Sequence, residues 1–285
     1  MLAIKDVYKT FGNVEALKGL SFEVKKGTVF GLLGPNGSGK TTSIRIILSI
    51  IYPDKGEIEI GFKKIGYMPE ERGLYPDMRI DELIIFFSRL RGMDKLITEK
   101  QMEFWLSRLE LSDRRKDKVK NLSKGLKQRL HLLISVLHDP ELLILDEPFM
   151  GLDPIAIKGL RDLVFELKSR GKTVLLSTHW MDQAEQLCDS LCLIKNGEKI
   201  YSGSLDALRK KHIKNEIYVE IEGNVNFEEF QGINKVKKEG KGFILIMEKK
   251  PENFIRELTD IADVKEFRTV YPSLEDIFIE EVGGE

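Results

Sequence analysis

Cysteine is scarce in this chain: two in 285 residues, with only four histidines. Cys188 and Cys192 lie four apart, but no further Cys or well-placed His joins them to make a metal cage. Leu187, Leu191, Leu193 and Ile194 surround them, so they read as buried free thiols of a reducing compartment. Long apolar runs are also missing. Leu83 to Phe87 and Leu130 to Leu137 are the richest stretches, and they fall well short of the roughly 18 residues that span a bilayer. Lys5, Asp6 and Lys9 interrupt the start, so no secretory leader is expected. Neither charge dominates. Lys and Arg number 45 against 46 Asp and Glu, for a formal net charge of −1, so nothing draws the chain as a whole onto nucleic acid or acidic lipid. No long heptad run and no guanine-reading Asn-Lys-x-Asp motif occurs. What remains, 42% hydrophobic and 32% charged, is the composition of a folded globular chain with room for one large domain and a small one.

The strongest positive signal is Gly34-Pro35-Asn36-Gly37-Ser38-Gly39-Lys40-Thr41, followed by Thr42. It fits the phosphate-cradling pattern G-x-x-x-x-G-K-[ST]. Val29 to Leu33 before it reads as a buried strand, and Thr42 to Ile51 after it as a helix. That order serves the chemistry. Small residues let successive backbone N–H groups turn inward as a nest for oxyanions. The following helix aims its positive end at the same anion. Lys40 adds a point charge on the β- and γ-phosphates, and the Thr41 hydroxyl is a ligand for Mg²⁺.

Two more runs fit a parallel sheet. Leu142-Leu143-Ile144-Leu145 reads as a strand buried on both faces, and it ends in Asp146 and Glu147, where ligands bind in open α/β sheets. Asp146 is the expected holder of Mg²⁺ through its water shell. Glu147 is expected near the γ-phosphate, to orient or deprotonate the attacking water. Thr173 to Thr178 is a third such strand and ends in His179, suited to contact both γ-phosphate and water.

With these motifs in this order, the chain resembles the ATP-binding subunit of an ABC transporter. Leu122-Ser123-Lys124-Gly125-Leu126 resembles the family signature, Gly151-Leu152-Asp153 its D-loop, and Phe11 before Gly12 the aromatic that stacks on adenine. The resemblance covers roughly residues 1 to 212. It implies an α/β P-loop NTPase core with an antiparallel β subdomain and a helical signature subdomain at about 77–139. It also implies ATP and Mg²⁺ as cofactors, with Lys40, Glu147 and His179 as catalytic residues. Ser123 and Gly125 then serve the γ-phosphate held by a second ATPase subunit, identical or different. A separate integral-membrane permease is the expected partner, and no nucleic acid. The chain is thus expected to be cytoplasmic, peripheral on the membrane, and of the bacterial or archaeal exporter type. A soluble non-transport ABC ATPase and an ATP-dependent regulatory module are the alternatives.

The chain departs from the family pattern in two places. Lys124 and Leu126 stand in the signature where the family usually has Gly and Gln. After the strand Lys64 to Met68 and Pro69, the Q-loop position holds Glu70, with Glu71 next. Glu70 keeps an oxygen ligand for Mg²⁺ while adding a negative charge. Leu74 and Tyr75 in the loop beyond it suit either a membrane partner or packing on the helical subdomain.

Along the rest of the chain, Leu2 to Val24 alternates as antiparallel strands, with turns expected at Phe11-Gly12 and Lys18-Gly19. Ile80, Leu83, Ile84 and Phe87 fit one helical face, and Phe104, Trp105, Arg108 and Leu109 another. Arg209 to Lys214 is a basic run that reads as a charged last helical turn and linker, with anionic lipid as the other possibility. From 213 to 285 the pattern changes to β-α-β-β-α-β, a small α+β, ferredoxin-like domain. It includes a short helix over Asn226 to Phe230 and another over Pro251 to Ala262. Its closing stretch, Pro272 to Phe278, is similar to the end of some bacterial ABC subunits.

Overall fold

Alternating side chains make β1 (Leu2–Phe11) and β2 (Val14–Val24) an antiparallel hairpin, with Gly12 at positive φ in the turn. This is a computed structural model, and it describes residues 1–70, 73–223, 225–227, 230–248 and 254–283. Glu71 lies outside them. The Lys18-Gly19 turn expected from the sequence is instead a bulge within β2. The register slips between Val7 and Tyr8, Gly19 takes φ 79°, and a Cβ there would meet the Tyr8 hydroxyl at 2.8 Å.

Next come β3 (Val29–Leu33), buried throughout, and α1 (Lys40–Ile47). β4 (Lys55–Ile60) pairs back onto β1, giving a three-stranded sheet of order β2-β1-β4. β5 (Ile65–Met68) leads into α2 (Ile80–Leu90), α3 (Lys95–Arg108) and α4 (Lys124–Val136), the expected helical region. α3 buries Thr98, Met102, Trp105 and Leu106, whereas Phe104 faces outward under the Arg170 guanidinium. The apolar face of α3 therefore excludes one residue that its hydrophobicity assigned to it.

β6 (Leu142–Asp146), α5 (Pro154–Ser169), β7 (Thr173–Thr178), α6 (Met181–Leu187), β8 (Ser190–Lys195) and β9 (Glu198–Ser204) complete the larger unit. α5 starts cleanly because Asp153 accepts from the Ala156 N–H at 2.8 Å and Pro154 needs no donor partner in the first turn. The six-stranded sheet runs β5-β6-β7-β3-β8-β9, parallel except for β9. β8 and β9 join through Asn196-Gly197, both at positive φ, as a tight hairpin demands. One face of this sheet (Phe30, Leu32, Leu142, Ile144, Leu175, Cys192 and Ile194) packs with α1 and the small antiparallel sheet into a single core. Burial pushes the Cys192 thiol up to about 12 and raises Cys188 as well, as inert buried thiols should be.

Contacts divide the chain into Met1–Ser204 and Leu205–Glu285. The second unit contains α7 (Leu205–Lys211), β10 (Glu216–Glu222), β11 (Ile233–Glu239), β12 (Gly242–Met247), α8 (Phe254–Thr259), β13 (Asp263–Thr269) and α9 (Leu274–Gly283). The basic run explains why the division falls ahead of residue 212. Lys211 and His212 each pair with Glu281 at 3.0 Å, and Lys214 reaches Glu280 at 3.6 Å, which ties α7 to α9. The Lys211 ammonium holds Glu281 below the usual carboxylate range. The sheet order is β11-β12-β10-β13 with every neighbouring pair antiparallel, the ferredoxin-like arrangement. The helices expected over Asn226 to Phe230 and Pro251 to Ala262 fall in part outside the described residues. Of the second, Phe254–Thr259 is α8.

Candidate functional site

Four neighbouring strands, β5, β6, β7 and β3, run parallel, so their carboxyl ends meet on one edge of the sheet. Each end delivers something: Glu70 beyond β5, Asp146 and Glu147 at β6, His179 after β7, and the glycine-rich loop after β3. A cleft of about 760 Å³ opens there, lined by Asn36, Gly37, Gly39, Lys40, Thr41, Thr42, Glu70 and Glu147 among others.

The loop's glycines answer to local sterics. Gly37 and Gly39 take φ 78° and 106°, and a Cβ on Gly39 would sit 2.7 Å from both the Ala16 carbonyl and a Leu17 methyl. Lys40 is buried and donates to the carbonyls of Gly34 at 2.8 Å and Pro35 at 3.1 Å, which curls the loop around its ammonium. The same ammonium stands 3.2 Å from Glu147 Oε1. The Ser38 hydroxyl is buried with no hydrogen-bond partner among the described residues.

The carboxylates are desolvated and close together. Asp146 accepts from the Ser177 hydroxyl through Oδ1, and the Thr41 hydroxyl stands beside it. Its Oδ2 is buried and has no hydrogen-bond partner among the described residues. Burial raises Asp146 above the usual carboxylate range. The Ser177 hydrogen bond opposes this, and the Glu70 and Glu147 charges add to it. Glu147 is also buried, and it is held at φ 46°, a left-handed conformation that costs a non-glycine residue roughly 1–3 kcal/mol. Its N–H donates to the Ser177 carbonyl at 3.0 Å. Its Oε2 lies 3.1 Å from His179 Nδ1. Ser177 thus fixes both acids, a role its sequence position did not advertise.

Asp146 has a direct consequence for stability. The folded chain keeps the Asp146 proton at pH values where the unfolded chain has lost it. Stability therefore falls as pH rises from the ordinary carboxylate range through the raised folded value. Asp146→Asn is expected to flatten that fall and raise the unfolding temperature at neutral pH without nucleotide. Thermal unfolding over a pH series checks it.

Not every expected residue joins the cleft. Phe11 is 48% exposed and lies outside the lining, with the Lys9 ammonium 5.5 Å from its ring centroid. Ser123 is exposed at the start of α4, where its hydroxyl oxygen accepts from the Leu126 N–H at 3.3 Å, and Gly125 follows it in the first turn. Neither lines the cleft. Asn13, Val14, Glu15, Ala16, Lys18 and Asn196 do line it and were missed. They come from the β2 and β8–β9 hairpins, and only tertiary packing brings them there.

A sequence profile of the ABC transporter family matches residues 17–150. YhaQ of Bacillus subtilis (strain 168), an uncharacterized ABC transporter ATP-binding protein, is 38% identical, with 100% of this chain and 99% of YhaQ covered. The chain belongs to the ABC transporter ATP-binding family. Nod factor export ATP-binding protein I of Burkholderia orbicola (strain AU 1054) is also 38% identical, covering 77% of this chain and 75% of that protein. A solved ATP-binding subunit of an ABC transporter superposes with a TM-score of 0.69 at 32% identity, over 74% of this chain and 92% of that one. The profile of the DrrA1-3-like ATP-binding protein C-terminal domain matches residues 203–282, the second unit.

In this ABC protein two side chains of α4 reach the loop after Glu147. Lys124 and Gln128 lie one helical turn apart on the same face of α4. The end of the Lys124 side chain lies against Gly151. Gln128, buried, donates to the Pro148 carbonyl. Gln128 thus ties the loop after Glu147 to α4. Gln128→Ala leaves that carbonyl unpaired. It is expected to lower stability by about 1–3 kcal/mol in urea unfolding.

Proposed function

We propose that the cleft binds and hydrolyses Mg-ATP and that hydrolysis powers export through a separate membrane-spanning subunit. The observation that carries this reading is the meeting of four adjacent strand ends, where Lys40, Thr41, Glu70 and Glu147 line one cleft, His179 pairs with Glu147, and Asp146 stands beside Thr41. Lys40 and the loop N–H groups hold the phosphates. Glu147 takes the proton of the attacking water, and His179, whose Nδ1 faces Glu147 Oε2, steadies that carboxylate. Catalysis is then mainly positioning and charge stabilisation.

Thr41, Asp146 and Glu70 are the residues to hold Mg²⁺. They suit it, because Asp146 Oδ2 is a buried hard oxygen with no hydrogen-bond partner among the described residues, and the Thr41 hydroxyl and the Glu70 charge both act on the same acid. When bound, Mg²⁺ neutralises charge on the phosphate oxygens. Phe11 stacks on the adenine in this reading. Ser123 and Gly125 act on the ATP of a second ATPase subunit. Their place at a helix N-terminus, with Ser123 exposed, supports that, since the dipole and free N–H groups there favour an anion. Two such subunits, identical or related, close head to tail around two ATP molecules.

No helix among the described residues is long and apolar enough to cross a membrane. In this reading the transport path belongs to another chain, a permease that keeps this one on the cytoplasmic face. Tyr75 is half exposed with its edge on Phe86, and it suits contact with that permease. The export direction rests on the likeness to the Nod factor export protein. The second unit serves dimerisation or regulation.

The deciding experiment is co-purification of the tagged chain from its native membranes. A multi-spanning membrane protein in near-equal amount, with ATPase activity in the complex, is the expected result. A ribosomal or wholly soluble set of partners would overturn the transport reading.

A further inference from the structure

Trp180 has no part in the nucleotide chemistry above, yet its indole Nε1–H donates to His179 Nε2 at 2.9 Å. The two rings meet edge to face, 77° apart, with centroids 6.2 Å from each other. An indole nitrogen only donates, so His179 Nε2 is the acceptor, and the single proton of neutral imidazole sits on Nδ1. Nδ1 is the atom that faces Glu147 Oε2, at 3.1 Å.

Trp180 is itself anchored. Its backbone N–H donates to Thr178 Oγ1 at 3.1 Å, and the next residue, Met181, is buried at the start of α6. The result is a directed chain of hydrogen bonds from indole to imidazole to carboxylate. It ends at a buried acid whose other oxygen lies beside Lys40.

We propose that Trp180 is a positioning residue for hydrolysis, fixing the His179 proton on Nδ1 and aiming it at Glu147. Neutral imidazole has two tautomers. With the proton on Nε2, a nitrogen lone pair would face the buried Oε2, and the carboxylate would lose its hold. The indole removes that option at no charge cost. It thereby sets which Glu147 oxygen is occupied and which is left toward the phosphates. The role in turnover rests on the reading of Glu147 and His179 as hydrolytic residues. The tautomer does not.

The test is nitrogen NMR of the full chain labelled with ¹⁵N-histidine, which gives only four imidazoles to assign, His179 being found with H179Q. The expected wild-type spectrum shows the Nδ1–H tautomer at His179, and W180F shifts it toward Nε2–H or a mixture. W180F should also lower kcat by about tenfold while the KM for ATP stays within about twofold, as for removal of a partner that orients a functional histidine. A wild-type His179 protonated on Nε2 overturns the proposal without any variant. So does a W180F protein with unchanged tautomer or unchanged kcat. Full turnover in Glu147→Gln would instead strike the hydrolytic reading and leave the tautomer result standing.

Discussion

Glu147→Gln is expected to bind ATP at least as well as the parent chain and to hydrolyse it about 10²- to 10⁴-fold more slowly, the usual worth of a positioned general base. The amide keeps the shape and accepts the same left-handed backbone as the acid. Its two ends, however, are no longer equivalent. If its oxygen accepts from His179 Nδ1, its NH₂ points at the Lys40 ammonium, donor against donor. Reversed, it meets the imidazole N–H in the same way. The first arrangement preserves the histidine contact at 3.1 Å and gives up the ion pair at 3.2 Å. Lys40 is then freer to meet phosphate, so binding is retained or improved while the proton acceptor is gone. Phosphate release measures turnover, and titration with a fluorescent ATP analogue measures binding. Parent-like turnover in this variant would remove Glu147 from the role of base.

The chemistry of this site was legible because it is written locally. A phosphate loop needs its glycines and lysine in consecutive positions. A parallel strand buried on both faces must read as an unbroken aliphatic run, so Leu142 to Asp146 announced both the strand and its acidic end. The caps at Ser123 and Asp153, by contrast, were read only as parts of the signature and the D-loop, although a single residue starts each helix. What stayed hidden depends on the chain meeting itself at long range. The walls at Val14, Lys18 and Asn196 come from hairpins that only the folded sheet brings to the loop. Gly19 read as a turn because glycine marks positive φ, and a bulge requires the same φ; the Tyr8 ring filling its Cβ space decides between them. The Lys211 and His212 pairings with Glu281 are of this kind too. A basic run looks the same in sequence whether it meets lipid, water or another helix of its own unit.

Lys40→Met is expected to have the larger effect on binding. Three interactions leave with the ammonium: the hydrogen bonds to Gly34 and Pro35, which shape the loop, and the ion pair to Glu147. The lost charge-assisted contact to phosphate is worth about 1.5–3 kcal/mol by itself, which is about ten- to 150-fold in affinity. The loss runs further here, because Glu70, Asp146 and Glu147 then face the triphosphate with one fewer positive charge among them. Arginine is no repair. Its planar fork does not fit a buried pocket sized for an ammonium between two carbonyls. Turnover should fall below detection, and the free protein should unfold at lower urea, since the Glu147 side chain keeps only its histidine partner, the Gly34 carbonyl loses its donor and the Pro35 carbonyl keeps only the Ser38 N–H. Calorimetric titration with ATP and urea unfolding read the two effects separately. Native ATP affinity in Lys40→Met, with turnover abolished, would mean that the lysine acts on Glu147 rather than on phosphate. The P-loop amides and the helix end would then account for binding alone.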